Sequence, residues 1–448
     1  MTTLAVDALR PALYEKFVRP TPRWFADSAL GVFVHWGAYS VPAWAEPIGA
    51  LGAVTDKEYW YAHNPYAEWY ANTIRIDGSP ARERHDVRYG GAPYDAFLDS
   101  WSAEHFDAEG MVALFARAGA RYVVPTTKHH DGIALWDAPG TGLRNTVHRG
   151  PRRDLVAAFA AATRAAGLRF GAYYSTGLDW HAAPMPAIVD DAQGFRGAPH
   201  DLAYARYVNA HLDDLITRYR PDMLWGDIDY PNAGAPAGPD SLAHVLERFY
   251  AANPEGVIND RFGRTHWDFR CSEYEEGAQV ETATGARWQH TRGIGYSFGY
   301  NAAETADTHL SAAEAVRMLV DVVSRGGTLM LNIGPDAAGR IPPLQRRCLE
   351  AMAAWMSVNE ECVQAARPFP AGAASEAPWA RWTANDASAY LALAPTDGPV
   401  KVTLPPNIDE ETAVVLGTMA RVTCSDGALS VDGLPAGDVP TVLRFRRR

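Results

Sequence analysis

Short apolar runs alternate with longer amphipathic segments through residues 1–365, and no other feature constrains the fold of this chain so strongly. The strand candidates are LGVFVHWG (30–37), ARYVVPTT (120–127), LRFGAYYS (168–175), DMLWGDI (222–228), EGVIND (255–260) and GTLMLNIG (327–334). Their apolar residues run nearly unbroken, the pattern of strands covered on both faces. Amphipathic helices are predicted at 107–119, 153–167 and 203–219, and two more near 311–324 and 343–359. Strand-then-helix repetition of this kind implies parallel βα units, and so long a succession favours a closed (β/α)8-like barrel over an open sheet.

The texture changes at 365–378, where AARPFPAGAASEAP has the composition of a linker. This places a boundary between a catalytic barrel at 1–365 and a C-terminal domain at 366–448. Beyond it, ASAYLALAP, VKVTLPP, TAVVLGT, ARVTCS, ALSVDG and TVLRFRR are short alternating runs separated by turn residues, which predict a small antiparallel β-sandwich. The segment 38–100 is rich in Trp, Tyr, Pro and His and is expected to be loop-like. In a barrel such an insertion sits among the loops of the catalytic mouth.

Charge and cysteine usage narrow the partners and the compartment. A net charge of −12 over 448 residues argues against nucleic-acid binding, which needs clustered Lys and Arg. No window holds 18 apolar residues free of charge, so no membrane span is expected. The first residues lack a basic region followed by an apolar stretch, and the four cysteines, at 271, 348, 362 and 424, form no CxxC pair, so a reducing cytoplasm is the expected location. The 14 Trp, 20 Tyr and 15 Phe fit either a large core or flat platforms for sugar rings.

Residues at the C-terminal ends of barrel strands meet at one open face. There the sequence places His35 and Trp36; His129, His130 and Asp131; Tyr173 and Tyr174; Trp225, Asp227 and Asp229; Asn259, Asp260 and Arg261; and, further on, Glu273, Glu275 and Glu276. Carboxylate pairs lined by aromatic rings suit glycosidic bond cleavage, in which one carboxyl protonates the departing oxygen and the other attacks or supports the anomeric centre. Competing structural roles exist for each group. Asp227 and Asp229 could cap helices or form ion pairs, the 273–276 run could be a solvated loop, and Tyr173, Trp225 and Phe298 could be core. His129 and His130 could be metal ligands, but neighbours on a strand point to opposite faces, and no HxH or HExxH pattern accompanies them.

Ten stretches, in order, resemble the α-L-fucosidases of glycoside hydrolase family 29: FVHWGAYSVPAW (33–44), AEWYAN (67–72), TTKHHDGIALW (126–136), RGPRRDLV (149–156), GAYYSTGLDW (171–180), LWGDIDYP (224–231), VINDRFG (257–263), HWDF with SEY (266–274), TRGIGYSFGYN (291–301) and SRGGTLMLNIGPDAAG (324–339). The resemblance implies a barrel followed by a β-sandwich, hydrolysis of terminal α-L-fucosides with retention, fucosylated oligosaccharides or glycosides as substrate, and no metal or cofactor. It assigns Asp227 as nucleophile and Glu273 as general acid/base. Fucose binding is implied for His35, Glu68, Trp69, His129, His130, Tyr173, Trp225, Arg261 and Phe298. Phe298 and other rings would cover the apolar C5 methyl of the 6-deoxy sugar.

The chain departs from the family pattern in two places. Asp229 stands where a small residue such as Gly is expected; on an extended strand it would share Asp227's face, modulate it, or rival it as nucleophile. Glu275 and Glu276 rival Glu273. Ahead of HWG, DSALG replaces an expected Lys-Phe pair, a packing change. Alternative activities are cleavage of α-L-galactosides, which differ by a C6 hydroxyl, and silent sugar binding. A lectin would have no need to keep Asp227, Glu273 and Arg261 together.

Overall fold

The computed structural model describes residues 10–192, 199, 201–231, 237–274, 287–369, 379–395, 402–405, 407–425, 428–432 and 437–448. Eight parallel strands form the first sheet: β1 (Leu30–Val34), β2 (Ala120–Lys128), β3 (Arg169–Ser175), β4 (Met223–Asp227), β5 (Val257–Ile258), β6 (Arg270–Glu273), β7 (Trp288–Gly293) and β8 (Gly327–Ile333). Their order, β5-β4-β3-β2-β1-β8-β7-β6, is that of a TIM-like barrel cut between β5 and β6. Every position of β1, β4 and β8 is buried, as the unbroken apolar runs require.

Side-chain parity divides each strand between two cores. Phe33, Tyr122, Val124, Tyr173, Met223, Trp225, Val257, Cys271 and Met330 pack together inside the barrel. Their strand neighbours Val32, Val34, Val123, Ala172, Leu224, Leu329 and Leu331 face outward into the main cluster under the helices. Those helices are α1 (Ala108–Arg117), α2 (Leu155–Ala165), α3 (Leu202–Tyr219), α4 (Leu242–Ala252), α5 (Ala312–Ser324) and α6 (Pro343–Asn359). Asp107, Asp154, Asp201 and Ser241 cap α1 to α4 by accepting a backbone N–H of the first turn. Ser311 and Glu314 close a capping box on α5.

The strict alternation lapses between β5 and β6, where a 3₁₀ turn at Asp260–Phe262 replaces a helix. No ladder joins these two edge strands among the described residues; carboxylates bridge them instead. Asp268 Oδ2 accepts Ile258 N–H at 2.8 Å, and Asp260 Oδ1 accepts Cys271 N–H at 3.0 Å. The sequence patterns also passed over β6 and β7, whose RCSE and WQHTRG are too polar to stand out, and α4. The segment 38–100 is not simply loop: it carries helices at Lys57–Ala62, Pro80–Tyr89 and Asp95–Ser100.

The C-terminal strands are β9 (Arg367–Pro368), β10 (Ala380–Ala384), β11 (Ser388–Leu393), β12 (Val402–Thr403), β13 (Ile408–Val415), β14 (Arg421–Ser425), β15 (Ala428–Asp432) and β16 (Thr441–Arg447). They form two antiparallel sheets, β13-β16-β11-β10-β9 and β12-β15-β14. Alternation in β11 sends Ala389, Leu391 and Leu393 to the core between the sheets, with Trp382, Val402, Leu429 and Phe445. Tyr390 and Ala392 turn the other way and join the main cluster of the barrel helices. Most of the linker expected at 365–378 lies outside the described residues. Cys271, Cys348 and Cys362 are buried free thiols. No described helix is long and apolar enough to cross a membrane.

Candidate active site

Parity also builds the site. Two residues beyond the interior residues Phe33, Trp225 and Cys271 stand His35, Asp227 and Glu273, which therefore project from the top of the same inner face. Asp227 is the last residue of β4 and Glu273 the last of β6, and both are buried. One guanidinium links them. Arg261 Nη1 donates to Asp227 Oδ1 at 3.1 Å, and Nη2 donates to Glu273 Oε2. The Tyr173 hydroxyl donates to Asp227 Oδ2 at 2.8 Å, and the Tyr66 hydroxyl to Glu273 Oε1 at 3.4 Å.

The imidazoles around this pair are neutral, and their tautomers follow from their partners. Asn332 Nδ2 donates to the Phe298 carbonyl at 2.7 Å, which turns Asn332 Oδ1 toward His35 Nδ1, 2.7 Å away. His35 therefore donates from Nδ1 and presents a lone pair at Nε2. Ser175 uses its one proton on Leu178 O at 2.7 Å, so His130 Nδ1, 2.6 Å from Ser175 Oγ, must be the donor there. His130 Nε2 is again a lone pair, 3.8 Å from Asp227 Oδ2. Burial pushes both imidazoles down to about 4, against the opposing pull of Asp227 and, at His35, the Asn332 hydrogen bond. His129 is held well below its usual range by burial and then by His130; it stacks on Tyr173, and its buried Nδ1 has no hydrogen-bond partner among the described residues.

The insertion 38–100 supplies the remaining wall. Glu68 Oε2 accepts Gly299 N–H at 2.7 Å and the Ser297 hydroxyl at 3.2 Å. Burial pushes its carboxyl up to about 7 despite those bonds. Trp69 packs edge-on against His130 and Trp180, while Phe298 lies between His35, Tyr66 and Tyr274. Trp225 sits lower: its indole N–H goes to Gln289 Oε1 at 2.9 Å, and its ring lies 5.1 Å beneath the Arg261 guanidinium. It is a floor for Arg261, with no donor left to offer a ligand.

Two expectations need correction. His129 and His130 do not diverge as strand neighbours, because β2 ends at Lys128; both turn into the site with ring centroids 4.0 Å apart. Asp229 does not share Asp227's face. The strand ends at Asp227, Ile228 and Asp229 take φ of 59° and 62°, and Asp229 emerges exposed, its N–H on Arg261 O at 3.0 Å. Left-handed backbone at two such residues is strained, by about 1–3 kcal/mol each. Asp227 Oδ1 accepting Ile228 N–H at 3.0 Å helps to hold it. Only glycine fits at 177 beside this turn, since a Cβ there would lie 1.5 Å from Ile228 O. Glu275 and Glu276 lie outside the described residues. Tyr66, Ser175 and Asn332 went unnoticed in the sequence; Asn332, two residues past the interior Met330, was within reach of the strand-end rule.

A parallel barrel whose mouth holds two buried carboxylates on one arginine, ringed by neutral imidazoles and aromatic faces, defines the glycoside-cleaving class of barrel enzymes. The sequence profile described as Alpha-L-fucosidase matches residues 6–361, and the chain belongs to that family of glycoside hydrolases. The tissue alpha-L-fucosidase of Bos taurus is 32% identical over 391 residues, spanning 84% of this chain and 75% of its own length. A solved alpha-L-fucosidase structure matches with a TM-score of 0.87 at 37% identity, covering 96% of this chain and 97% of the other. The Thermotoga maritima alpha-fucosidase in complex with fucose matches at 0.82 and 36% identity, covering 95% of this chain and 97% of its own.

Proposed function

We propose that this chain is a retaining, exo-acting α-L-fucosidase in which Asp227 is the nucleophile and Glu273 the general acid/base. The observation that carries the reading is the single guanidinium of Arg261 reaching both carboxylates. Two carboxylates held by one guanidinium are compatible with the ~5–5.5 Å spacing of retaining enzymes.

In the first step an Asp227 oxygen attacks the anomeric carbon while the Glu273 carboxyl protonates the glycosidic oxygen. The aglycone leaves and a fucosyl ester forms on Asp227. In the second step the Glu273 carboxylate takes a proton from water, whose oxygen attacks the same carbon and releases Asp227. Arg261 faces one negative charge that moves between its two partners, so its field stabilises both half-reactions without rearrangement. The Tyr173 hydroxyl holds Asp227 in line.

The neutral His35 and His130 present acceptors at Nε2, which suit the hydroxyl protons of the sugar. A hydroxyl seated between His130 Nε2 and Asp227 Oδ2, two acceptors 3.8 Å apart, would relieve their opposition. His129, Glu68 and Trp69 supply further polar contacts, and Phe298 covers the apolar edge that carries the C5 methyl. Below Tyr173 and Trp225 the barrel is packed with Phe33, Met223 and Met330, so the pocket has a floor and accepts a chain end. This supports exo action on terminal fucose of an oligosaccharide or glycoside. We further propose residues 1–365 as the catalytic unit and 366–448 as the appended sandwich, and a reducing cytoplasm as a setting that suits the free buried thiols of Cys271, Cys348 and Cys362.

The test is substitution of the two carboxylates. Asp227→Gly is expected to abolish release from an aryl α-L-fucoside; near wild-type turnover would remove the nucleophile assignment. Glu273→Ala is expected to slow poor leaving groups most and to regain part of its rate with azide. Absence of both effects would move the acid/base role elsewhere.

A further inference from the structure

We infer that Glu304 is a positioning residue for substrate recognition: it anchors the Tyr296–Gly299 segment so that Phe298 stays pressed against the apolar edge of the sugar. The inference rests on the reading of Phe298 as the cover of the C5 methyl.

Phe298 stands in a segment gripped from two sides by buried carboxyl groups. On one side Glu68 Oε2 accepts Gly299 N–H at 2.7 Å. On the other, Glu304 Oε1 accepts Ser297 N–H at 2.8 Å. The residues on both sides of Phe298 are thus fixed by backbone bonds to carboxyl oxygens. The Ser297 hydroxyl ties the segment together, its one proton shared between Gly299 O at 2.7 Å and Glu68 Oε2 at 3.2 Å.

Glu304 is an unusual choice for mere packing. Its side chain is 2% exposed, and among the described residues no Lys or Arg lies within ion-pair distance. Its nearest basic neighbour is His309, with Nε2 3.7 Å from Oε2. That imidazole donates Nδ1–H to Thr305 O at 2.8 Å, and burial lowers its pKa, which favours the neutral ring with a lone pair at Nε2. Burial pushes the Glu304 carboxyl up to about 8, so it is largely neutral at pH 7 and serves as a hydrogen-bonding group. The backbone makes room for it: a Cβ at Gly295 would lie 2.1 Å from Glu304 Oε2, and its three nearest atoms would all belong to Glu304. An unpaired buried carboxyl is destabilising unless its oxygens are used. Here they are used on the segment that carries Phe298.

Two substrates read the position of Phe298: an aryl α-L-fucoside and the same glycoside without C6, the aryl β-D-arabinopyranoside. One methyl group in an apolar pocket changes kcat/KM by roughly 10–200-fold. Phe298→Ala should collapse that preference, which tests the reading of Phe298 itself. Glu304→Ala should lower it about tenfold, whereas Glu304→Gln, which keeps a carbonyl acceptor in place, should hold it within about twofold. Gly295→Ala, which displaces the carboxyl without removing it, should reproduce the loss if Glu304→Ala folds poorly. Should Phe298→Ala leave the preference intact, the reading of Phe298 fails and the inference falls with it. Should Phe298→Ala collapse the preference while folded Glu304→Ala or Gly295→Ala keeps it, even with a lowered Tm, Glu304 is structural only and the inference alone is overturned.

Discussion

Asn332 Oδ1 lies 2.7 Å from His35 Nδ1 and sets which nitrogen of that imidazole carries the proton. Asn332→Ala removes this constraint while leaving the ring in place. A sugar hydroxyl would then meet either tautomer, and a neutral hydrogen bond worth about 1 kcal/mol is lost for part of the population. KM for an aryl fucoside is expected to rise by about two- to fivefold with kcat little changed. An unchanged KM would mean that His35 does not accept from the substrate.

Protonation of His35 and His130 should occur far below the usual histidine range, because burial holds both near 4. The sign is that of a depressed base. At pH 5–6.5 the unfolded chain takes up protons that the folded imidazoles refuse, so their contribution to stability falls as pH drops from about 6.5 toward 4. ¹⁵N NMR of the histidines is expected to show both rings neutral at pH 6, each with a protonated Nδ1 and a bare Nε2. A cationic signal from either at that pH would contradict the assigned tautomers.

Glu304 titrates in the opposite sense. Its folded carboxyl is raised to about 8 by burial, above its unfolded value, so the stability it contributes is whole below about 4.5 and is lost as pH rises through 8. Wild type and Glu304→Gln are therefore expected to diverge in Tm as pH climbs from 5 to 8.5, with the wild type falling more steeply. Parallel curves would place an ionised Glu304 in the folded protein throughout.

Arg261→Lys is expected to reduce kcat/KM by about 10²–10³-fold. A lysine ammonium is a single point on a flexible stem and cannot donate in fixed directions to Asp227 and Glu273 together. Steady-state kinetics on an aryl fucoside decide it, and a loss below fivefold would mean the bridge is incidental.

Lys128 and Asp179 form an ion pair whose side chains are both fully buried, with Nζ 3.0 Å from Oδ2. Asp179 also accepts His181 and Ala182 N–H, and the Lys128 ammonium reaches toward Leu178 O at 3.4 Å. The pair thus ties the end of β2, just before His129 and His130, to the loop after β3. Lys128→Met strands the carboxylate and should destabilise the fold by about 3–5 kcal/mol in urea denaturation. A loss under about 1 kcal/mol would show that Asp179 is satisfied by its backbone donors alone.

What the sequence made legible follows one physical rule. Strands buried on both faces write themselves as continuous apolar runs, so β1, β2, β3, β4, β5 and β8 stood out. The polar residues closing β1 and β4 were then placed at the mouth by parity. Arg270–Glu273 and Trp288–Gly293 escaped because polar residues break up their apolar runs. Asp229 misled because alternation holds only while the strand lasts, and the left-handed turn at Ile228 ends it. Tyr66 and Glu304 belong to long connections, where position in the fold leaves no periodic trace. The grouping of Glu68, Trp69 and Phe298 with the strand-end residues came from family motifs, and no pattern in the residues alone would have assembled it.

The central claim is double displacement by Asp227 and Glu273, and the anomer first released tests it most directly. Hydrolysis of an aryl α-L-fucoside followed by ¹H NMR, on a timescale faster than mutarotation, is predicted to show α-L-fucose first, with β-L-fucose growing in only as the anomers equilibrate. Initial appearance of the β-anomer would contradict retention and, with it, the role assigned to Asp227.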